Sequence, residues 1–480
     1  MQMQTLEGDN TEIRDTDLRE LSTAFRGQLI EPCHAGFDEA RRVWNGTIDR
    51  RPALIAQCSG AADVIAAVKF ASHHGLLVSV RGGGHSIPGH SVCDGGLMID
   101  LSLMRGVMVD PRHRTVRAQG GALWGDVDHE SQAFGLATSG GVVSTTGIGG
   151  LTLGGGSQSW LIRKYGNAAD NLLSADVVTA KGELVKASES EDADLFWALR
   201  GGGGNFGVVT SFEFRLHPVG PLVLAGGAFF SWNRLREVTD FYLDYVRHLP
   251  DELTTALFYW TAPSVPFLPT SIHGQNVAII SACYAGAIDA GEKVVAPIRA
   301  LKPTVDLLGP MPYTALQAMF DPLVPKGIYG YAKSDYFDII SSEMVDDMVA
   351  WAQKKPGALA MAHLNHFGGA MSRIANDATP FAHRDTLFAF SPDALWDKPE
   401  ETEAHVNWAK GYWQALRSYS PRGAYINFLT DEGQDRVRES YQGNYDRLVQ
   451  IKRKYDPTNL FRLNQNIKPY STPRLAAQQT

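Results

Sequence analysis

The chain has 480 residues, 44% of them hydrophobic and 20% charged, with a formal net charge of −8. That length is more than one hydrophobic core usually serves, and the composition is that of an ordinary globular chain, so two or three domains are expected. The acidic balance, with no long basic run, argues against nucleic acid or an anionic membrane surface as the main partner.

The first residues, "MQMQTLEGDNTEIRDTDLRE", are acidic and polar and lack the apolar core of a secretory signal. No uninterrupted apolar stretch approaches the ~20 residues of a membrane span, so a cytoplasmic protein with no membrane partner is expected. "PALIAQC" (52–58) reads as a strand and "SGAADVIAAVKFASHHG" (59–75) as a helix. Ser59 is the expected N-cap, Val64, Ile65, Val68 and Phe70–Ala71 form the apolar stripe, and Gly75 is the stop. "LLVSV" (76–80) is a second short strand, which makes a βαβ unit leading into "RGGGHSIPGHS" (81–91). Short strands follow in "GGLMIDLS", "VMVDP" and "TVRAQGG", and then the glycine-rich stretch "SGGVVSTTGIGGLTLGGGSQSW" (139–160).

"ADVVTAKGELVKAS" reads as a hairpin turning at Lys181-Gly182. "DADLFWALRGGGGNFGVVTSFEFRLHP" reads as a short helix, a tetraglycine loop and an alternating strand. Near Pro218 the texture changes: residues 220–430 have fewer glycine clusters and more aromatics, with "NVAIISACYAG" as a strand and "DAGEKVVAPIRALK" as a helix. Within this part "MAHLNHFGGAMSR" is a strand on which His363 and His366, three apart, face opposite ways. "AYINF" is read as a strand with Tyr425 and Asn427 on the same side. The tail, "YQGNYDRLVQIKRKYDPTNLFRLNQNIKP", is a helix followed by an extended end. The four cysteines, Cys33, Cys58, Cys93 and Cys283, have neither CxxC nor zinc-like spacing, so free thiols are expected and no metal site.

Glycine permits φ > 0 and lets backbone approach a ligand with no Cβ in the way. Successive amide N–H groups in such loops form concave anion sites. Three of these loops (82–84, 147–156 and 201–204) imply a long anionic ligand, and a dinucleotide fits. The Rossmann setting of GxGxxG after a first strand is missing, as is the P-loop pattern, so spacing alone does not say which nucleotide.

"RGGGHS", "GIGGLTLGGG", "RKYGNAADNL", "WALRGGGGNFGVVTSFEF" and "YDPTNLFRLNQNI.P" occur here in an order that resembles the berberine-bridge-enzyme-like branch of the vanillyl-alcohol-oxidase flavoproteins. The resemblance runs from about residue 50 to 470. It implies an α+β fold: a PCMH-type FAD-binding domain (1–217 and 431–480) and a substrate-binding domain (218–430) with an antiparallel sheet backed by helices. It implies FAD, held by a single covalent link from the flavin 8α-methyl carbon to His85, a bond that makes the flavin a stronger oxidant. Arg81, Gly82, Gly83, Gly84, His85 and Ser86 would run along the pyrophosphate. Thr146, Gly147, Gly150 and Gly155 would line the second loop, with Asn167 and Asp170 in the "GNAADN" turn. Gly207 and Val208 would hold the adenine end, and Asn464 and Asn466 would approach the isoalloxazine.

The chain departs from the family in two places. Many relatives have a second tether, a cysteine, where this chain has Val143, so one link is expected and a more open site. The tyrosine that relatives use as a base is here Phe428. The replacement candidates are Tyr425, His363, His366 and Lys333. Hydride transfer from an amine or an acidic phenol can also proceed with no protein base. Thr146, directly before the loop glycine, is moderately small, which leans toward oxygen access. The resemblance thus implies an oxidase that takes a hydride from a small organic substrate and passes the electrons to O2, giving hydrogen peroxide. Tyr259, Trp260, Tyr329, Tyr331 and Tyr336 hint at an aromatic substrate. The alternatives are a dehydrogenase with another acceptor, or a flavin-retaining binding protein without catalysis.

Overall fold

The computed structural model describes residues 1–420, 423–430 and 432–470. Strands Leu54–Gln57 and Val78–Arg81 flank the helix Ala61–His74, whose stripe of Val64, Ala67, Val68 and Ala71 is fully buried. The helix starts differently from the expectation. Its N-cap is Gly60, in extended backbone, and Ser59 does not cap it. Asp63 takes that place: its carboxylate accepts from the Ser59 amide and hydroxyl (both 2.8 Å) and from the Arg26 and Gly27 amides. A carboxylate with several donors outcompetes a lone hydroxyl. The helix stops at Gly75, left-handed at φ 61°, where the Leu76 amide turns back to Ala71 O at 2.9 Å.

The two strands of this βαβ unit do not pair with each other. Leu97–Asp100 inserts between them, parallel to both, and Gln28–Ile30 adds an antiparallel edge. The insertion places Asp100 opposite Arg81, and the two form a buried fork, Nε to Oδ1 at 2.8 Å and Nη2 to Oδ2 at 2.5 Å. A second, antiparallel sheet runs Leu184–Ser188, Leu172–Val178, Val208–Arg215, Thr115–Gln119, Val107–Asp110. The expected hairpin is its edge, with Gly182 at φ 70°.

A nine-stranded antiparallel sheet begins with Leu222–Ser231 and has Asn276–Tyr284, Leu253–Thr261, Met361–His366 and Phe388–Trp396 at its centre. One face carries Leu257, Ile280, Leu364 and Phe390 into a core with Val238, Tyr242, Val295, Met348 and Tyr412 from the helices Leu235–Tyr245, Ile288–Ala300, Ser342–Ala352 and Thr402–Arg417. The opposite face looks back at the first two sheets. Strand alternation makes this division, since residues i and i+2 share a face.

One expectation changes at the return of the chain. Tyr425 is not on a strand: it precedes a 3₁₀ turn, Ile426–Phe428, which the Phe428 amide closes onto Tyr425 O at 2.9 Å. Ala424, Ile426 and Leu429 pack in the core of the antiparallel five-stranded sheet. Residue 431, and residues 471–480 of the expected domain, lie outside the described residues.

The last segment is locked by buried polar groups. Lys452, 0% exposed, donates to Asp456 Oδ2 (2.6 Å), Asn205 O (2.7 Å) and Phe461 O (3.0 Å). Asn205, directly after the tetraglycine loop, accepts from the Ile467 amide at 2.9 Å and donates to Gln465 O at 3.1 Å. Cys58, Cys93 and Cys283 are buried free thiols and Cys33 is exposed. Among the described residues no helix is long and apolar enough to cross a membrane, and no group of three or more metal-ligating side chains forms.

Candidate active site

A cleft of about 440 Å³ lies between the glycine loops and the free face of the nine-stranded sheet. Its floor includes Gly82–His85, Gly147, Gly150, Gly203, Gly204 and Gly207, together with Val80, Val209 and Phe212 from the two smaller sheets. Asn464 and Gln465 of the tail close one end, and the roof carries Thr254, Ala256, Phe258, Trp260, His363, Asn365 and Asp393.

The glycines do two different things. A Cβ on Gly83 would sit 2.4 Å from Gly147 N, and one on Gly147 would sit 2.4 Å from Gly83 N, so the first two loops can touch only as bare backbone. A Cβ on Gly150 or Gly204 would meet nothing within 4 Å: these face open space, where a side chain would take up room meant for a ligand. A cradle of exposed amides flanked by apolar walls fits a dinucleotide with a flat ring system.

His85 sits in the cleft wall, stacked on Trp44 with ring centroids 5.4 Å apart and planes at 18°. Trp44 is itself anchored, its indole N–H donating to Val324 O at 2.9 Å. Burial pushes the His85 imidazole down to about 4, against a backbone hydrogen bond at Thr145. The ring is therefore neutral at physiological pH and keeps a nitrogen lone pair.

Of the other FAD-contact candidates, Gly82, Gly83, Gly84, Ser86, Thr146, Gly147, Gly150, Gly207, Val208 and Asn464 line the cleft. Arg81 does not: its guanidinium turns away to Asp100, Ala40 O and Arg42 O, and only its backbone leads into the loop. Asp170 is bound by Arg384 through two bonds of 2.6 Å and accepts from the Asn167 amide at 2.8 Å. Asn167 and Asp170 thus brace the turn beneath Gly155 and Gly156, whose carbonyls accept from the Ala169 and Ala168 amides. Gly155, at φ 101°, packs toward Phe381, and Asn466 lies beside Ile467 outside the lining.

The four catalytic candidates separate clearly. His363 faces the cleft, its Nε2 3.0 Å from Asp393 Oδ2 and its Nδ1 2.8 Å from Asn365 Nδ2. His366 lies near Arg163 Nη1 (3.4 Å) and the Phe388 ring (5.4 Å) and also borders the cleft. Tyr425 lines the cleft, accepts from Asn427 Nδ2 at 2.9 Å and packs on Phe428; burial pushes its phenol up, so it is a neutral phenol. Lys333 is outside the lining: its ammonium pairs with Glu432 at 2.9 Å between the rings of Tyr331 and Trp413. Trp44, Asn365 and Asp393 were not singled out from the sequence. Asn365, two residues from His363 on one strand, was the legible one.

His366 gives a pH prediction. Burial, helped by Arg163, pushes its imidazole down to about 3, below the unfolded value of about 6.5. Its contribution is complete above about pH 6.5 and is lost as pH falls, reaching about 3 kcal/mol by about pH 4. His366→Gln, which cannot titrate, should lose about 3 kcal/mol less than the natural protein when denaturant unfolding at about pH 7 is compared with about pH 4.

Comparison with known proteins agrees with this geometry. Residues 52–188 match the FAD binding domain family model, and residues 424–468 match the model described as berberine and berberine like. The chain is 30% identical over 470 residues to (R)-6-hydroxynicotine oxidase of Paenarthrobacter nicotinovorans, covering 93% of this chain and 97% of that protein. It is 31% identical over 431 residues to an FAD-linked oxidoreductase of Dictyostelium discoideum, covering 89% and 91%. The crystal structure of 6-hydroxy-D-nicotine oxidase from Arthrobacter nicotinovorans superposes with a TM-score of 0.84 at 30% identity, over 93% of this chain and 98% of that one. Berberine bridge enzyme in complex with (S)-reticuline shares the fold, with a TM-score of 0.85 at 20% identity over 96% and 100%. A cleft whose floor must be glycine, whose far end is closed by a berberine-like tail, and whose relatives match over nearly their whole length leaves one assignment: the chain is an enzyme of the berberine-bridge-enzyme-like FAD-linked oxidoreductases, and its cofactor is FAD.

Proposed function

We propose that this enzyme is an oxidase for flat aromatic small molecules, with FAD bonded once, to His85, and O2 as the electron acceptor. The observation that carries the reading is the roof of the cleft. Trp160 and Phe320 stack at 6.4 Å with planes at 13°, and Phe258 lies 6.1 Å from Phe320. Together with Trp260 these rings form an apolar wall opposite the glycine floor. No lysine or arginine lines the cleft among the described residues, and Asp393 is its one carboxylate. Such a wall favours a planar, neutral or cationic substrate over an acidic one. The division into an FAD-binding unit (1–217 with the tail) and a substrate unit (218–430) is part of the same reading, supported by the separate sheets.

When bound, FAD accepts a hydride from the substrate and yields the electrons to oxygen. The chain's own residues hold and orient. The glycine amides cradle the anionic part, Asn464 and Gln465 close the end, and the aromatic wall keeps water off the reacting carbon. The neutral His85 would hold the flavin through one bond from its ring nitrogen, while Val143 in the same lining has no thiol for a second. Phe428 cannot take a proton and Tyr425 is held as a neutral phenol, so the reaction suits amines and phenols that need little help from a base.

The test is an anaerobic mixing of holoenzyme with aryl amines and phenolic alcohols, followed by air. Bleaching of the flavin, then recolouring in air with one peroxide per turnover, is expected. Recolouring only with an artificial acceptor would make it a dehydrogenase. Thr146 lines the cleft immediately before Gly147. Thr146→Ile should slow the reaction of the reduced enzyme with O2 by about tenfold, while anaerobic reduction changes less than about twofold, as read by stopped flow.

A further inference from the structure

On the free face of the nine-stranded sheet, three polar side chains are wired so that, with the His363 ring neutral, one orientation satisfies them. Asp393 Oδ2 is 3.0 Å from His363 Nε2, and a carboxylate oxygen accepts, so Nε2 carries the ring proton. In a neutral imidazole Nδ1 is then bare and also accepts. Its neighbour at 2.8 Å is the Asn365 amide, which must therefore turn its N–H end inward. The reverse setting would oppose the carbonyl Oδ1 to the Nδ1 lone pair. What is left toward the cleft is Asn365 Oδ1, a pure acceptor.

The wiring is held from both sides. Strand pairing sets His363 opposite Ser391, whose hydroxyl bonds Asp393 Oδ1 and lies 2.7 Å from Lys333 O. Phe258, paired with His363 on the other neighbouring strand, packs its ring 5.6 Å from the imidazole. His363 is 5% exposed, so water does not compete for its nitrogens, whereas Asn365 is half-buried at the cleft wall.

We infer that Asn365 is the specificity-determining contact for the polar edge of the substrate. His363 and Asp393 act as positioning residues that keep its carbonyl facing the cleft. The enzyme then takes aromatic molecules that present an O–H or N–H at that point, and discriminates against the methyl ether or tertiary amine of the same ring. A site built to accept a hydrogen bond rejects the partner that lacks the donor because its buried acceptor is left unpaired. This inference rests on the aromatic-substrate reading of the cleft.

The probes are 2-naphthol and 2-methoxynaphthalene, titrated into FAD-loaded enzyme at about pH 8, below the ordinary phenol range, so that the naphthol keeps its O–H. Binding is read from the perturbation of the visible flavin band. The natural enzyme should hold 2-naphthol about tenfold more tightly than the ether. Asn365→Leu should bring the two within about twofold by weakening the naphthol alone. Equal affinities in the natural enzyme, or a preference that survives in a flavin-replete Asn365→Leu, would each overturn the assignment of Asn365. If neither naphthalene perturbs the flavin, the aromatic-substrate reading itself falls, a result distinct from tight but equal binding of both.

Discussion

His85→Ala is expected to give a protein whose flavin stays in the supernatant when the polypeptide is precipitated with acid, and whose turnover is lower by about tenfold or more. A tenfold loss corresponds to about 1.4 kcal/mol of barrier, the scale on which a less oxidising and less well-placed flavin acts. The argument is geometric. His85 is the one imidazole of the glycine-loop segment that is both in the cleft lining and stacked on an anchored ring, Trp44. Its burial keeps it neutral, so no proton blocks the nitrogen. Alanine removes the nucleophile and leaves Gly83 and Gly147 packed as before, so FAD still binds without the bond. The check is flavin absorbance in pellet and supernatant, with steady-state peroxide release measured beside it.

The second large effect lies far from the chemistry. Lys452→Met should cost about 3–5 kcal/mol of folding stability, because it leaves Asp456 as an uncompensated buried charge. Both side chains are 0% exposed. Burial pushes the Lys452 ammonium down to about 8 against the pull of Asp456, so it is charged at neutral pH and carries its three bonds as a cation. Asp456 in turn accepts from the Leu460 and Phe461 amides at 2.8 and 2.9 Å, which starts the extended tail. Losing the lysine removes one of the ties between the tail and Asn205 after the tetraglycine loop, and so loosens Asn464 and Gln465 at the end of the cleft. Denaturant unfolding should show the lower stability, and FAD content after gel filtration should fall with it. Lys452→Met with full stability and full flavin would contradict this role.

The glycine loops were legible because they break every periodic pattern around them, and the strand Asn276–Tyr284 and the helix Ile288–Ala300 were legible as an apolar run and a polar–apolar mixture. What was not legible depended on partners distant in the chain. The insertion of Leu97–Asp100 between Leu54–Gln57 and Val78–Arg81 is a pairing choice that no local pattern encodes. Ser59 looked like a cap from its position alone, while Asp63, four residues on, gathers three backbone amides, one of them from residue 26 and one from residue 27 far upstream. "AYINF" is too short for a period of two to be told from one turn, and the turn won through a single backbone hydrogen bond.

The site shows the same division. His85 and the loops around it could be named from the motif, but Trp44, which stacks on His85, lies far upstream and gives no local signal. Lys333 could not be told from a base until its partner Glu432 was in place. The orientation of Asn365 needs Asp393, which reaches it only through His363 across two neighbouring strands.

The central claim is the bond at His85, and intact-mass spectrometry of the denatured holoprotein tests it most directly. The polypeptide should carry one FAD less two hydrogens, and digestion should place the added mass on the peptide containing His85. A denatured chain at bare polypeptide mass, from a preparation that was yellow before denaturation, would contradict it.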